Sequence, residues 1–146
     1  METAEMGRVV TDVTIENAGD LWAVRNGLKS VDQVRRVTVT DALVDTGASF
    51  MALPFAWRDR LGDLETMTEV EMETATQETI KAEVCGPVRI QIEGFRPIHT
   101  EVSFVDMKPQ DGEYEPLIGY LVLEQSQAGV DILGHRLVKI KHMDLK

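Results

Sequence analysis

Ala42-Leu43-Val44-Asp45-Thr46-Gly47-Ala48-Ser49 is the stretch on which the reading of this chain turns. Alanine, leucine and valine suit a buried strand, whereas an aspartate at the strand's tip is costly to bury unless it is hydrogen-bonded. Gly47 permits a turn with positive φ, and without a side chain it lets another group approach closely. Asp-Thr-Gly is also an ordinary turn composition. The tripeptide alone does not separate a site from a turn.

Working outward, the residues before this stretch form a strand. Val37 and Val39 face one way, and Arg36, Thr38 and Thr40 the other, over Val34 to Val44. Gly7 to Ile15 is a first strand, rich in valine, threonine and isoleucine. Between the two, Glu16 to Gln33 carries turn signals at Asn17-Ala18-Gly19-Asp20 and Asn26-Gly27. It reads as a long connection with a short irregular element around Leu21 to Val24, in which Trp22 packs.

Downstream, Pro54 and Gly62 bracket a two-turn helix with Trp57 and Leu61 on its buried face. Thr66 to Thr74 and Thr79 to Val84 alternate and form a hairpin around the polar segment Ala75-Thr76-Gln77-Glu78. That tip has no glycine or proline, so no tight two-residue turn is specified. Cys85-Gly86-Pro87 breaks the pattern before strands at Val88 to Ile92 and Thr100 to Val105. Pro109 to Glu115 is an exposed loop. Leu117-Ile118-Gly119 is a second apolar stretch stopped by glycine. A helix over Tyr120 to Gln127 follows, stopped by Gly129, and then two short strands joined by Gly134-His135-Arg136. The class is mainly β, and 146 residues fit one domain, 1–146.

The formal charge of −10 argues against nucleic acid, whose binding needs a basic face. No apolar run is long enough to span a bilayer, so no membrane is expected. The N-terminal residues lack a secretory pattern and there is one cysteine, Cys85, so the expected setting is cytoplasmic. His99, His135 and His142 have no metal-ligand spacing, and neither a metal nor any other cofactor is expected. Cys85 reads as a small buried residue and Ser49 as a loop-stabilising hydroxyl.

The order of strand, Asp-Thr-Gly-Ala, hairpin, strands, and apolar-apolar-Gly with a following helix resembles the retropepsin-like aspartic peptidases. These are the single-domain type found in retroviruses and in many bacterial proteins, and the closing segment, Val130-Asp131 and Arg136-Leu137-Val138, resembles bacterial members. The resemblance covers roughly Val34 to Val138. It implies a closed or partly open β-barrel of the acid-protease type, with one or two short helices and a flap hairpin.

It also implies roles. Asp45 would be the catalytic carboxylate, with Thr46, Gly47, Ala48 and Ser49 supporting its loop and Leu117, Ile118 and Gly119 packing beneath. Thr46 would bond across a two-fold axis, and Ala75, Thr76 and Gln77 would form the flap tip. With one Asp-Thr-Gly per chain, the resemblance implies a homodimer that hydrolyses a polypeptide substrate, each copy giving one Asp45. Ala48 stands where two-domain pepsin-like enzymes carry a hydroxyl, which implies a less acidic optimum than theirs. The other reading is a peptidase-fold dimer acting as a non-catalytic binding or assembly module.

Overall fold

A computed structural model of the protein describes residues 8–73 and 77–141, apart from the Met72 side chain. The strand that leads into Asp45, β2 (Arg36–Val44), alternates as its sequence requires, with Val37 and Val39 each 4% exposed and their neighbours in solvent. It pairs antiparallel with β1 (Val10–Asn17) through Val13↔Val39 and Ile15↔Val37, so the apolar sets of both strands share one face.

The other strands of this sheet are β3 (Met51–Pro54), β4 (Glu65–Glu73), β5 (Thr79–Ile92), β6 (Ile98–Val105) and β7 (Leu117–Ile118). They continue the sheet in the order β1-β2-β7-β3-β6-β5-β4, and β1 also pairs with β5. That extra pairing closes six strands into a barrel and leaves β4 outside, as one arm of a hairpin with β5. Ile15, Met51, Leu53, Ile90, Phe104 and Ile118 fill the interior without solvent exposure. Each fully buried aliphatic side chain contributes roughly 1.5–3 kcal/mol.

Glu16 fastens the closure. It sits opposite Arg36 on β2 and Arg89 on β5, and its carboxylate takes ion pairs from both, at 3.0 and 2.6 Å. Burial pushes its pKa up, but the hydrogen bonds and charges of Arg89 and Arg36 outweigh this and hold it below the ordinary value.

Several expectations need correcting. Ala18–Arg25 is a regular helix, α1, because Asn17 accepts from the Asp20 N–H as its N-cap. Trp22 on that helix is 55% exposed, not packed. Asp20, 3% exposed, instead binds the segment down: it accepts from Arg35 Nε and Nη2, from the Arg35 backbone N–H and from Lys29. The segment Phe55 to Leu61 is a 3₁₀ turn (Phe55–Trp57) followed by one α-turn, α2 (Arg58–Leu61). Leu61 is buried there, whereas Trp57 is only partly covered, by the edge of Tyr114 and by Arg60.

Cys85-Gly86-Pro87 does not end a strand. β5 runs through it with a cis Gly86–Pro87 bond and a shift in its pairing with β6. The last helix, α3 (Tyr120–Ser126), ends at Gln127 in the left-handed conformation, φ 57. Gly129 lies further on, inside β8 (Ala128–Asp131), which pairs with β9 (Arg136–Lys139). Among the described residues, three short α-helices therefore accompany the barrel.

Candidate active site

β7 is only two residues long, yet it organises this end of the barrel. It lies between β2, with which it is parallel through Leu43↔Leu117 and Val44↔Ile118, and β3, with which it is antiparallel through Ala52↔Leu117. The chain from β2 to β3 must therefore pass around β7, and Asp45 to Phe50 is that passage.

Backbone hydrogen bonds hold the passage at both ends. The Asp45 N–H donates to the Ile118 carbonyl at 2.9 Å, and the Ala48 N–H donates to the Asp45 carbonyl at 3.1 Å. The Ala48 and Ser49 carbonyls accept from Tyr120 and Leu121, the first residues of α3, at 2.8 and 3.1 Å. Gly119 lies against the same loop: a Cβ there would stand 2.5 Å from the Ser49 carbonyl carbon and oxygen, and closer still to the Phe50 carbonyl oxygen. With φ −84 and ψ 171, Gly119 occupies ordinary extended backbone. Glycine is required there for space.

The Gly47 N–H donates to Asp45 Oδ1 at 2.9 Å. Its φ is not positive, so of the two uses that the sequence allows this glycine only close approach is realised: a Cβ would come 3.2 Å from that carboxylate oxygen. The reason for glycine is again close approach, here to a charged side chain. Asp45 is half-buried and accepts no hydrogen bond at Oδ2 from any described residue; Thr46 and Gly47 are exposed. A carboxylate so held has one oxygen oriented by the backbone and the other without a hydrogen bond to a described residue. Such a group can hydrogen-bond, accept or deliver a proton there.

Ser49 holds the loop through its carbonyl, whereas its hydroxyl makes no hydrogen bond to a described residue. Ile118 is fully buried. The hairpin of β4 and β5 is paired from Glu65↔Gly86 to Glu73↔Thr79. Of the expected flap tip, Gln77 is exposed at φ 65, and Ala75 and Thr76 lie outside the described residues. Cys85 is fully buried beside Arg58, which also pairs with Glu83. His99 is exposed on β6, His135 is exposed with Nδ1 3.0 Å from the Arg8 carbonyl, and His142 lies outside the described residues.

A groove of about 610 Å³ opens beside this loop, between the tip end of the hairpin, the end of β6 and Leu117. Ala52, Ile80, Val105, Met107 and Leu117 line its apolar part. Gln110 to Glu115, read from sequence only as an exposed loop, forms much of its rim. The signal was weak because a polar, turn-rich segment looks alike whether or not it borders a groove. Ala52 could have been found: it lies in the apolar run Met51-Ala52-Leu53 just beyond the Asp45 stretch.

A family model described as aspartyl protease matches residues 29–122, a span that includes both the Asp45 loop and Leu117-Ile118-Gly119. Among solved structures, the chain is similar to the EIAV protease complexed with the inhibitor HBY-793. The TM-score is 0.50 and the identity 20%, over 85% of this chain and 91% of that one. At that identity the likeness concerns the fold. A search of the curated proteins finds no match. By the span of the family match and the closed barrel built around the Asp45 loop, this chain belongs to the aspartyl protease family, with the fold of a retroviral protease.

Proposed function

We propose that the protein is a homodimeric aspartic endopeptidase in which Asp45 from each of two copies faces one water molecule. The observation that carries this reading is Asp45 itself: its backbone is tied to Ile118, Oδ1 is oriented by the Gly47 N–H, and Oδ2 accepts no hydrogen bond from a described residue. One such carboxylate is half of the required chemistry. Two close carboxylates cannot cheaply ionise together, an effect for which aspartic proteases are the standard example, so one stays protonated and the other charged.

In the reaction, the charged Asp45 takes a proton from the water, whose oxygen attacks the peptide carbonyl carbon. The protonated Asp45 of the other copy gives its proton to the carbonyl oxygen. The tetrahedral species then collapses: the C–N bond breaks, the leaving nitrogen takes the proton held by the first carboxylate, and one of the two hydroxyls returns its proton to the second carboxylate, which restores the singly protonated pair. Thr46, exposed on the same loop, is suited to meet its counterpart across the two-fold axis. The hairpin of β4 and β5 would close over an extended substrate and exclude water.

The dimer reading has support in exposed apolar surface at the same end of the barrel. Ile132 and Leu133, in the turn between β8 and β9, are 59% and 94% exposed. That turn is brought alongside β1 by the contact of His135 with the Arg8 carbonyl, while the next residue's carbonyl, of Val9, accepts from the Val44 N–H beside Asp45.

The test is cleavage of a mixed peptide library by the purified protein, with Asp45→Asn as control, alongside sedimentation. Cleavage by a dimer, lost in the variant, is the expected result. A strictly monomeric protein at the assay concentration, or cleavage that survives Asp45→Asn, would sink the mechanism.

A further inference from the structure

The groove beside the Asp45 loop combines two chemistries that one kind of substrate side chain would satisfy together. Its apolar wall is made by Ala52, Ile80, Val105, Met107 and Leu117, and Leu117 directly precedes Ile118, the partner of the Asp45 backbone. Its rim carries Glu78, Asp106, Asp111, Glu113 and Glu115, against one cation, Lys108. Glu115 is neutralised by Arg8 at 2.6 Å. Asp106, Asp111 and Glu113 are exposed and form no ion pair with a described residue.

We propose that this groove selects a substrate residue with an apolar stem and a cationic head, lysine or arginine, and disfavours an acidic one. The proposal rests on Asp45 being the catalytic carboxylate, since that makes the groove the neighbouring side-chain site. The methylenes of lysine or arginine can lie along the apolar wall while the charged end reaches the rim. A plain aliphatic residue would satisfy the wall but leave three carboxylates with nothing to answer them. A glutamate would meet like charge.

The wider surroundings act in the same direction. The outer hairpin strand β4 carries Glu65, Glu69, Glu71 and Glu73, and the whole chain has a formal charge of −10. Such a field draws basic peptides toward the groove and repels acidic ones. Exposed charges act weakly one at a time, so a preference of about tenfold for lysine over glutamate is what three of them can supply.

The experiment uses short synthetic peptides, otherwise apolar, with one position at a time set to lysine, arginine, norleucine or glutamate. Binding is measured by fluorescence anisotropy on the Asp45→Asn protein, and cleavage is measured on the unaltered protein. The expected binding order at one position is lysine or arginine, then norleucine, then glutamate, with about tenfold between the extremes. That ratio should flatten as salt is raised from about 0.05 to about 0.5 M, because the screening length shortens severalfold. In the Asp106→Asn/Glu113→Gln double variant the lysine-to-glutamate ratio should fall toward one. Taking the ratio within each protein removes any general loss of stability.

Norleucine binding best, equal binding of lysine and glutamate, an unchanged ratio in the double variant, or no binding at all would each overturn the proposal. Charge-ordered binding without cleavage by the unaltered protein would leave the groove standing and refute the peptidase reading. Cleavage without charge preference would do the reverse.

Discussion

Replacing Gly119 with alanine tests how the Asp45 loop is held. Nothing in the backbone forbids the change, since φ −84 and ψ 171 suit any residue. The obstacle is space: the new methyl would lie 2.5 Å from the Ser49 carbonyl, and real Cβ contacts stay beyond 3.0 Å. The loop and the start of α3 must therefore separate by about 0.5 Å or more, a displacement large enough to strain a close-packed site. The atoms in the way are backbone and cannot rotate aside.

The same movement stretches two hydrogen bonds, Tyr120 N–H to Ala48 at 2.8 Å and Leu121 N–H to Ser49 at 3.1 Å. Overpacking costs about 1–3 kcal/mol, and each weakened bond up to about 1 kcal/mol more. A total of about 3 kcal/mol lowers Tm by about 10 °C in a domain of this size. Peptide hydrolysis should fall further than stability, by up to about a hundredfold, because an error of about 1 Å in a reacting group costs that much. Circular dichroism and the library assay read the two effects separately. Gly94→Ala is the control: its φ is 87 and nothing lies within 4 Å, so it pays only for conformation, about 1 kcal/mol. A Gly119→Ala protein melting within about 2 °C of the unaltered one, with undiminished cleavage, would refute the reasoning.

Other outcomes follow from the polar clusters and the site. Asp20→Asn should cost about 2–3 kcal/mol at pH 7 by urea titration, the lower part of the range for a broken buried pair, because Arg35 is 35% exposed and can rehydrate. The hydrogen bond from Arg35 holds the Asp20 pKa far below its ordinary 3.8, so this contribution is whole above pH 3.8. It drains away as pH falls through the depressed folded value, and equal loss at every pH would contradict the assignment. Glu16→Gln should destabilise the barrel by about 1–3 kcal/mol. A double-mutant cycle with Arg89→Met would detect their coupling, and additive effects would argue against it. The pH–rate profile of cleavage should peak above the range of pepsin-like enzymes, because Ala48 offers no hydroxyl to the charged carboxylate; a maximum below about pH 3 would contradict this.

What could be read from the sequence followed the range of the forces involved. Strand alternation such as Val37 and Val39, or Val88, Ile90 and Ile92, reports burial directly, and the mainly β barrel follows from it. The order of the Asp45 stretch, the hairpin and Leu117-Ile118-Gly119 led to the same fold. Local capping was less legible. Asn17-Ala18-Gly19-Asp20 has the composition of a turn, and only the Asn17 acceptance from the Asp20 N–H makes it a helix start. Asp20 in turn is held by Arg35 and Lys29, which no local pattern connects to it.

Gly47 and Gly119 show why the site was legible in outline but not in mechanism. Gly119 was marked by sequence as a glycine that ends an apolar run, and Gly47 as one suited to either positive φ or close approach. Neither residue has a positive φ. Gly119 makes room for the Ser49 and Phe50 backbone, and Gly47 brings its N–H to Asp45 Oδ1. The close approach of Gly47 is to a neighbour in sequence, Asp45, whereas the space that Gly119 must leave is defined by a distant segment, Ser49 and Phe50. The same argument extends to the carboxylate. The Gly47 N–H orients Oδ1 alone, and the reaction proposed needs a second carboxylate beside Asp45. In the proposed dimer that partner lies in another copy of the molecule. The loop must then hold Asp45 in place before the second copy arrives, which is the demand that the crowded packing at Gly119 meets.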